Sequence, residues 1–109
     1  MTNKELLNKL YELGKLSSDR DSASDDFPLD EFDKLLQQFT LPTTEEEAIK
    51  LMNLSPPVDT GCYGLEWTLL HLIEKVDVNR LQYVIDSADD GEVKRLVQLK
   101  LNSYNKEHN

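Results

Sequence analysis

A single cysteine, Cys62, excludes an intramolecular disulfide and any metal site built on several thiolates. Long apolar runs are also missing. The densest, Leu69 to Ile73, is interrupted by His71 and falls far short of the ~20 residues that span a bilayer. Met1 to Lys9 is polar and lacks the apolar stretch of a signal peptide, so a cytoplasmic, reducing location is expected. Positive charge is scarce: 12 Lys and Arg face 21 Asp and Glu, for a formal net charge of −9. Phosphate backbones and anionic lipid headgroups repel such a chain, so neither nucleic acid nor membrane is an expected partner. No glycine-rich phosphate loop and no Ser-His-Asp elbow is present. His71 and Glu74 form a lone H-x-x-E pair where helical di-iron sites need several such ligands. No enzyme chemistry, cofactor or metal is expected.

What is there is leucine at helical spacing. No run alternates with period two, and the expected class is all-α: one compact bundle of about five to six helices in a single domain, residues 1–109. A chain of this size can bury enough apolar surface for one core. A first helix, about Asn3 to Leu16, opens on a Thr2/Glu5 capping box and carries Leu6, Leu7, Leu10, Tyr11 and Leu13 in two apolar rows. Ser17 to Phe27 reads as a mobile acidic linker. Pro28 opens a second helix with Leu29, Phe32, Leu35, Leu36 and Phe39 on one face. Thr43 and Thr44 offer overlapping capping boxes for a third, reaching about Leu54.

After the loop from Ser55 to Gly61, a strongly apolar fourth helix runs from Gly61 or Gly64 to about Val76. Asp77 caps a fifth helix bearing Val78, Leu81, Val84, Ile85 and Ala88. Asp89-Asp90-Gly91 breaks it before a sixth with Val93, Leu96, Val97, Leu101 and Tyr104, fraying over residues 105–109. Short turns between the last three make them antiparallel neighbours, in a bundle or a helical-repeat-like arrangement.

Two constellations are candidates for recognition. The stretch Asp19 to Glu47 holds ten carboxylates against Arg20 and Lys34, a net −8, while the other eighty residues contribute −1. One account is a solvated linker followed by two well-capped helix starts. The other is a surface for a cationic partner, carried by Asp25, Asp26, Asp30, Glu31, Asp33, Glu45 and Glu46, because charge of one sign steers association. A calcium loop fits poorly, since Ala23 and Ser24 stand where a ligand and the turn glycine are needed.

On the fourth helix, Tyr63, Trp67, His71 and Glu74 follow at spacings of four, four and three, opposite Leu65 and Leu69. They form either an aromatic interface row or a side packed against the N-terminal helices. Cys62 lacks a base: His71 lies about 13 Å further along a continuous helix at 1.5 Å per residue. It reads as an inert thiol.

Small size, acidity, helical pattern and the block from Asp59-Thr60-Gly61-Cys62-Tyr63-Gly64 through Glu66-Trp67 to His71 and Glu74 resemble small bacterial immunity proteins. The resemblance implies a cytoplasmic, non-catalytic inhibitor that neutralises a cognate toxin domain, commonly a basic nuclease. The tyrosine-pair motif of the colicin-type immunity bundles has no counterpart here, so no binding residue carries over. Nucleic-acid mimicry, or a helical adaptor or regulatory subunit, are the competing expectations.

Overall fold

The computed structural model describes residues 1–16, 28–61 and 64–107. The expected linker at 17–27 with Asp25 and Asp26, and the pair Cys62 and Tyr63, lie outside the described residues. Among the described residues the chain is all-α, with six helices: α1 Asn3–Leu13, α2 Leu29–Gln37, α3 Glu45–Met52, α4 Leu65–Ile73, α5 Val78–Ser87 and α6 Glu92–Glu107.

Local chemistry sets most of the helix ends. Thr2 and Glu5 close the capping box of α1, and Thr44 with Glu47 closes that of α3. Of the two overlapping threonine boxes only Thr44 is used, because Thr43 is buried and its hydroxyl donates to the Leu72 carbonyl at 2.9 Å. Asp77 caps α5 by accepting from the Asn79 N–H. Helix α1 stops three residues earlier than its pattern implied, because Gly14 takes φ 102° and turns the chain out of the helix. Gly64, at φ 84°, starts α4, which ends at Ile73. Helix α6 continues to Glu107, so residues 105–107 are helical where fraying was expected.

The buried faces match the apolar spacing. Leu6, Leu10, Phe32, Leu36, Leu51, Leu69, Ile73, Val84, Val93 and Val97 are all essentially inaccessible to water. Each such side chain contributes roughly 1.5–3 kcal/mol on leaving water. Tyr11 and Tyr104, expected in the core, are largely exposed. Tyr11 instead lies across the surface and donates its hydroxyl to the Lys50 carbonyl at 2.7 Å.

The helices pack as a two-layer ladder. Helices α1, α3 and α5 line up in one layer, α2, α4 and α6 in the other, and α1 with α2, α3 with α4 and α5 with α6 form the rungs. The shortest dimension of the molecule, 19 Å, is two helix layers at about 10 Å each. Three stacked helical hairpins of this kind are the plan of α-solenoids, and here the plan runs the whole length of the chain. Helices α4 and α5 share no extensive contact, although a short turn joins them. Helix α4 packs beside α6 instead, and the two run parallel: Glu74 meets Lys100 further along both helices than the Glu66–Glu92 end. Within the last hairpin α5 and α6 are antiparallel, tied by Gln82 and Gln98 at 2.9 Å.

Helix α6 has no side-chain cap of its own; the loop after α3 supplies one. Pro56 O accepts from Glu92 N–H and Ser55 Oγ from Val93 N–H, both at 2.9 Å. Gly91 permits this approach. A Cβ there would stand 2.8 Å from Ser55 Oγ and 3.2 Å from Pro56 O, with Ser55 itself buried. Gly91→Ala is therefore expected to destabilise the fold by roughly 1–3 kcal/mol, as overpacking does. A urea-unfolding midpoint equal to the wild type's would show that the loop can step away from α6 at no cost.

Candidate binding surface

The helix directions divide the acidic stretch. The start of α1, the ends of α2 and α4, and the starts of α3 and α5 share one edge of the ladder, tied by Asn3 with Thr40 and Glu47, by Thr43 with Leu72, and by Glu45 with Arg80. The turns within the three hairpins share the opposite edge, tied by Leu16 N–H to Leu54 O and Asp89 N–H to Asn53 Oδ1. Asp30 and Glu31, in the first turn of α2, belong to this hairpin edge, with Asp33 one residue further into the helix. Glu45 and Glu46 open α3 on the other.

The glutamates of α3 are engaged within the fold. Glu45 receives Arg80 Nε at 2.7 Å and Nη2 at 3.3 Å. That hydrogen-bonded guanidinium holds its carboxyl below the usual range. Arg80 also lies 5.1 Å from the centre of the Tyr83 ring. Glu46 faces Lys50 at 3.3 Å, and Glu47 caps α3. In contrast, Asp30 and Glu31 are exposed and, among the described residues, form no ion pair. Asp33 accepts from Gln37 at 3.4 Å. Exposed Asp59, Asp86, Asp89 and Asp90 join Asp30 and Glu31 on the hairpin edge, carried there by the other two turns.

Of the row Tyr63, Trp67, His71 and Glu74, the two residues on α4, Trp67 and His71, face solvent. Trp67 is 51 % exposed and His71 is also exposed, which rules out the packing of this side against the N-terminal helices. His71 Nδ1 lies 3.0 Å from Glu74 Oε1, and Lys100 Nζ reaches Glu74 Oε2 at 3.0 Å from α6. Partial burial pushes the Glu74 carboxyl up, but the hydrogen bonds from His71 and Lys100 outweigh it and hold it below the usual range.

Two carboxylates outside both constellations, Glu66 and Glu92, are buried. Glu66 accepts from Gly64 N–H at 3.1 Å. Glu92 accepts from Asp59 N–H at 2.9 Å and receives Arg95 through Nε at 2.8 Å and Nη2 at 2.6 Å. Asp59 needs this support, since it is a non-glycine residue at φ 62°. Its carboxylate turns outward, 3.6 Å from Arg95. Together with Trp67 and Leu96 these groups line a cleft of about 310 Å³ between α4 and α6. Glutamate in the first turn of α4 and of α6 was a visible signal, suited to the positive helix end. Its burial depended on which loop packed there.

Among the described residues no helix is long and apolar enough to cross a membrane, and no group of three His, Cys, Asp or Glu is placed to hold a metal ion. No protein-family model, curated protein or solved structure matches the chain.

The Arg95 hydrogen bonds hold the Glu92 carboxyl below its ordinary value, reinforced by the Asp59 N–H and opposed by burial. A lowered folded-state value means that Glu92 stabilises the fold above the ordinary carboxylate range. That contribution fades as pH falls through the folded value. Glu92→Gln should cost about 1–3 kcal/mol at neutral pH, as for a lost charge-assisted hydrogen bond, and progressively less in acid. A stability difference that stayed constant from neutral to acid pH would deny the carboxylate this role.

Proposed function

We propose that this chain is a non-catalytic binding protein whose partner is basic, and that it acts as an immunity protein neutralising a cognate toxin domain, such as a nuclease, by direct contact. The observation that supports this reading best is the hairpin edge. Elements distant in sequence bring Asp30, Glu31, Asp59, Asp86, Asp89 and Asp90 to one side of the ladder, where, among the described residues, Lys15, Lys34, Lys94 and Arg95 are the opposing cations. Lys94 is occupied by the Ala88 carbonyl and Asp90, and Arg95 by Glu92 and Asp59. An edge on which carboxylates outnumber cations raises the encounter rate with a cationic surface. The exposed Trp67, in the same layer as α2, supplies the kind of aromatic group on which slow dissociation depends. A two-layer helical ladder also suits binding, because its stacked helices present broad continuous faces.

The test is affinity capture from the native host with the wild-type chain and with the Asp30→Asn, Glu31→Gln, Asp33→Asn triple variant. A basic protein should be recovered, less of it at high salt, and its toxicity on expression should be relieved by co-expressing this chain. Against that partner the triple variant should associate roughly tenfold more slowly at low salt and respond less to added salt. Capture of neutral or acidic proteins alone, or toxicity that co-expression leaves unchanged, defeats the reading.

A further inference from the structure

The cleft between α4 and α6 brings together an exposed aromatic ring, the aliphatic side chain of Leu96 and the exposed carboxylate of Asp59. Exposed Trp67 and half-buried Leu96 line it, and Asp59 and Glu92 flank the Arg95 guanidinium at 3.6 and 2.6 Å. Leu99 is 52 % exposed one turn beyond Leu96, at a level between the Trp67–Leu96 and Glu74–Lys100 pairings, so the apolar strip continues along α6. Arg95 does not repel an incoming cation at full strength, because both of its hydrogen bonds run to Glu92.

We propose that this cleft seats an arginine-containing basic segment of the protein partner, with one guanidinium laid against the Trp67 ring and paired with Asp59. The proposal rests on the basic-partner reading and adds where that partner is held. The chemistry matches on each count. An indole face attracts a guanidinium within about 6 Å. The Asp59 carboxylate, with 82 % of its side chain accessible, has room for a second cation beside Arg95. The aliphatic stem of an arginine covers apolar surface such as Leu96 and Leu99 while its head stays with the charges. The walls are already fixed: Glu92 holds the Asp59 backbone, and Ser55 and Pro56 are bonded to the first turn of α6. Little ordering cost is therefore left for binding.

Trp67 is the only tryptophan in the chain, so its emission reports this site alone. The probe is an acetylated, amidated hexa-arginine peptide, titrated into the full chain at physiological ionic strength, with hexa-glutamate as control. Trp67 emission should shift saturably with hexa-arginine and stay fixed with hexa-glutamate. By calorimetry, Trp67→Ala and Asp59→Asn should each raise the dissociation constant, about tenfold for the tryptophan. Both variants are expected to fold. Trp67 is exposed, and asparagine tolerates the backbone of Asp59 while keeping its N–H bond to Glu92; circular dichroism checks this.

Unchanged emission at saturation, or undiminished affinity in both variants, overturns the cleft. So does an absence of binding by the peptide. Binding lost only in the Asp30→Asn, Glu31→Gln, Asp33→Asn variant overturns it too, while leaving a basic partner docked on α2. Failure of the partner reading itself shows separately, in the capture experiment.

Discussion

The first N–H groups of a helix must find acceptors, and α6 finds them in a loop nearly forty residues earlier. Ser55 Oγ and Pro56 O take the Val93 and Glu92 N–H groups, and Glu92 in return holds the backbone of Asp59. Each such bond is worth only about 1 kcal/mol net, but a buried polar group left unmet costs more. The exchange is part of a chain of bonds along one edge. Leu16 bonds to Leu54 and Asn53 to Asp89, so the ends of α1, α3 and α5 are tied in series. Like helices are thereby brought side by side and parallel, and the cleft between α4 and α6 is a consequence of that alignment.

The same alignment redistributes charge. Carboxylates of one acidic stretch are parted by the length of α2, so Glu45 and Glu46 serve Arg80 and Lys50 on one edge while Asp30 and Glu31 on the other form no ion pair among the described residues. Aspartates from two later turns then join Asp30 and Glu31. Exposed ion pairs such as Glu46–Lys50 add little to stability. Their effect is on the field, since they quench one edge and leave the other acidic.

The free side of the last hairpin is polar, with Gln82 bonded to Asp86 and Gln98, and Gln98 to Asn102. A repeat with such a side covers the apolar interior of the stack without offering a further hairpin an apolar face to pack on. The core therefore lies within three hairpins, and Trp67 and Leu99 are exposed on the outer faces of their helices.

Helix identity was legible in the residues because its causes are local. Leucine spacing, the Thr2 and Thr44 boxes, Asp77 and the break at Gly91 each act within one or two turns, whereas the turn at Gly14 cut α1 short of its apolar pattern. The row of Trp67, His71 and Glu74 was legible as a row, but whether each member faced water depended on which helices flank α4. Sequence alone determined that the chain is helical, where its helices begin and which stripe of each is apolar, because those properties depend on neighbours within four or five residues. Tertiary packing decided that α4 lies against α6 rather than α5, that Glu66 and Glu92 are buried, and that the acidic stretch is divided between two edges. These follow from contacts such as Glu74–Lys100, Asp59–Glu92, Glu45–Arg80 and Ser55–Val93, 26 to 38 positions apart, and no local pattern encodes which distant loop will satisfy a helix end.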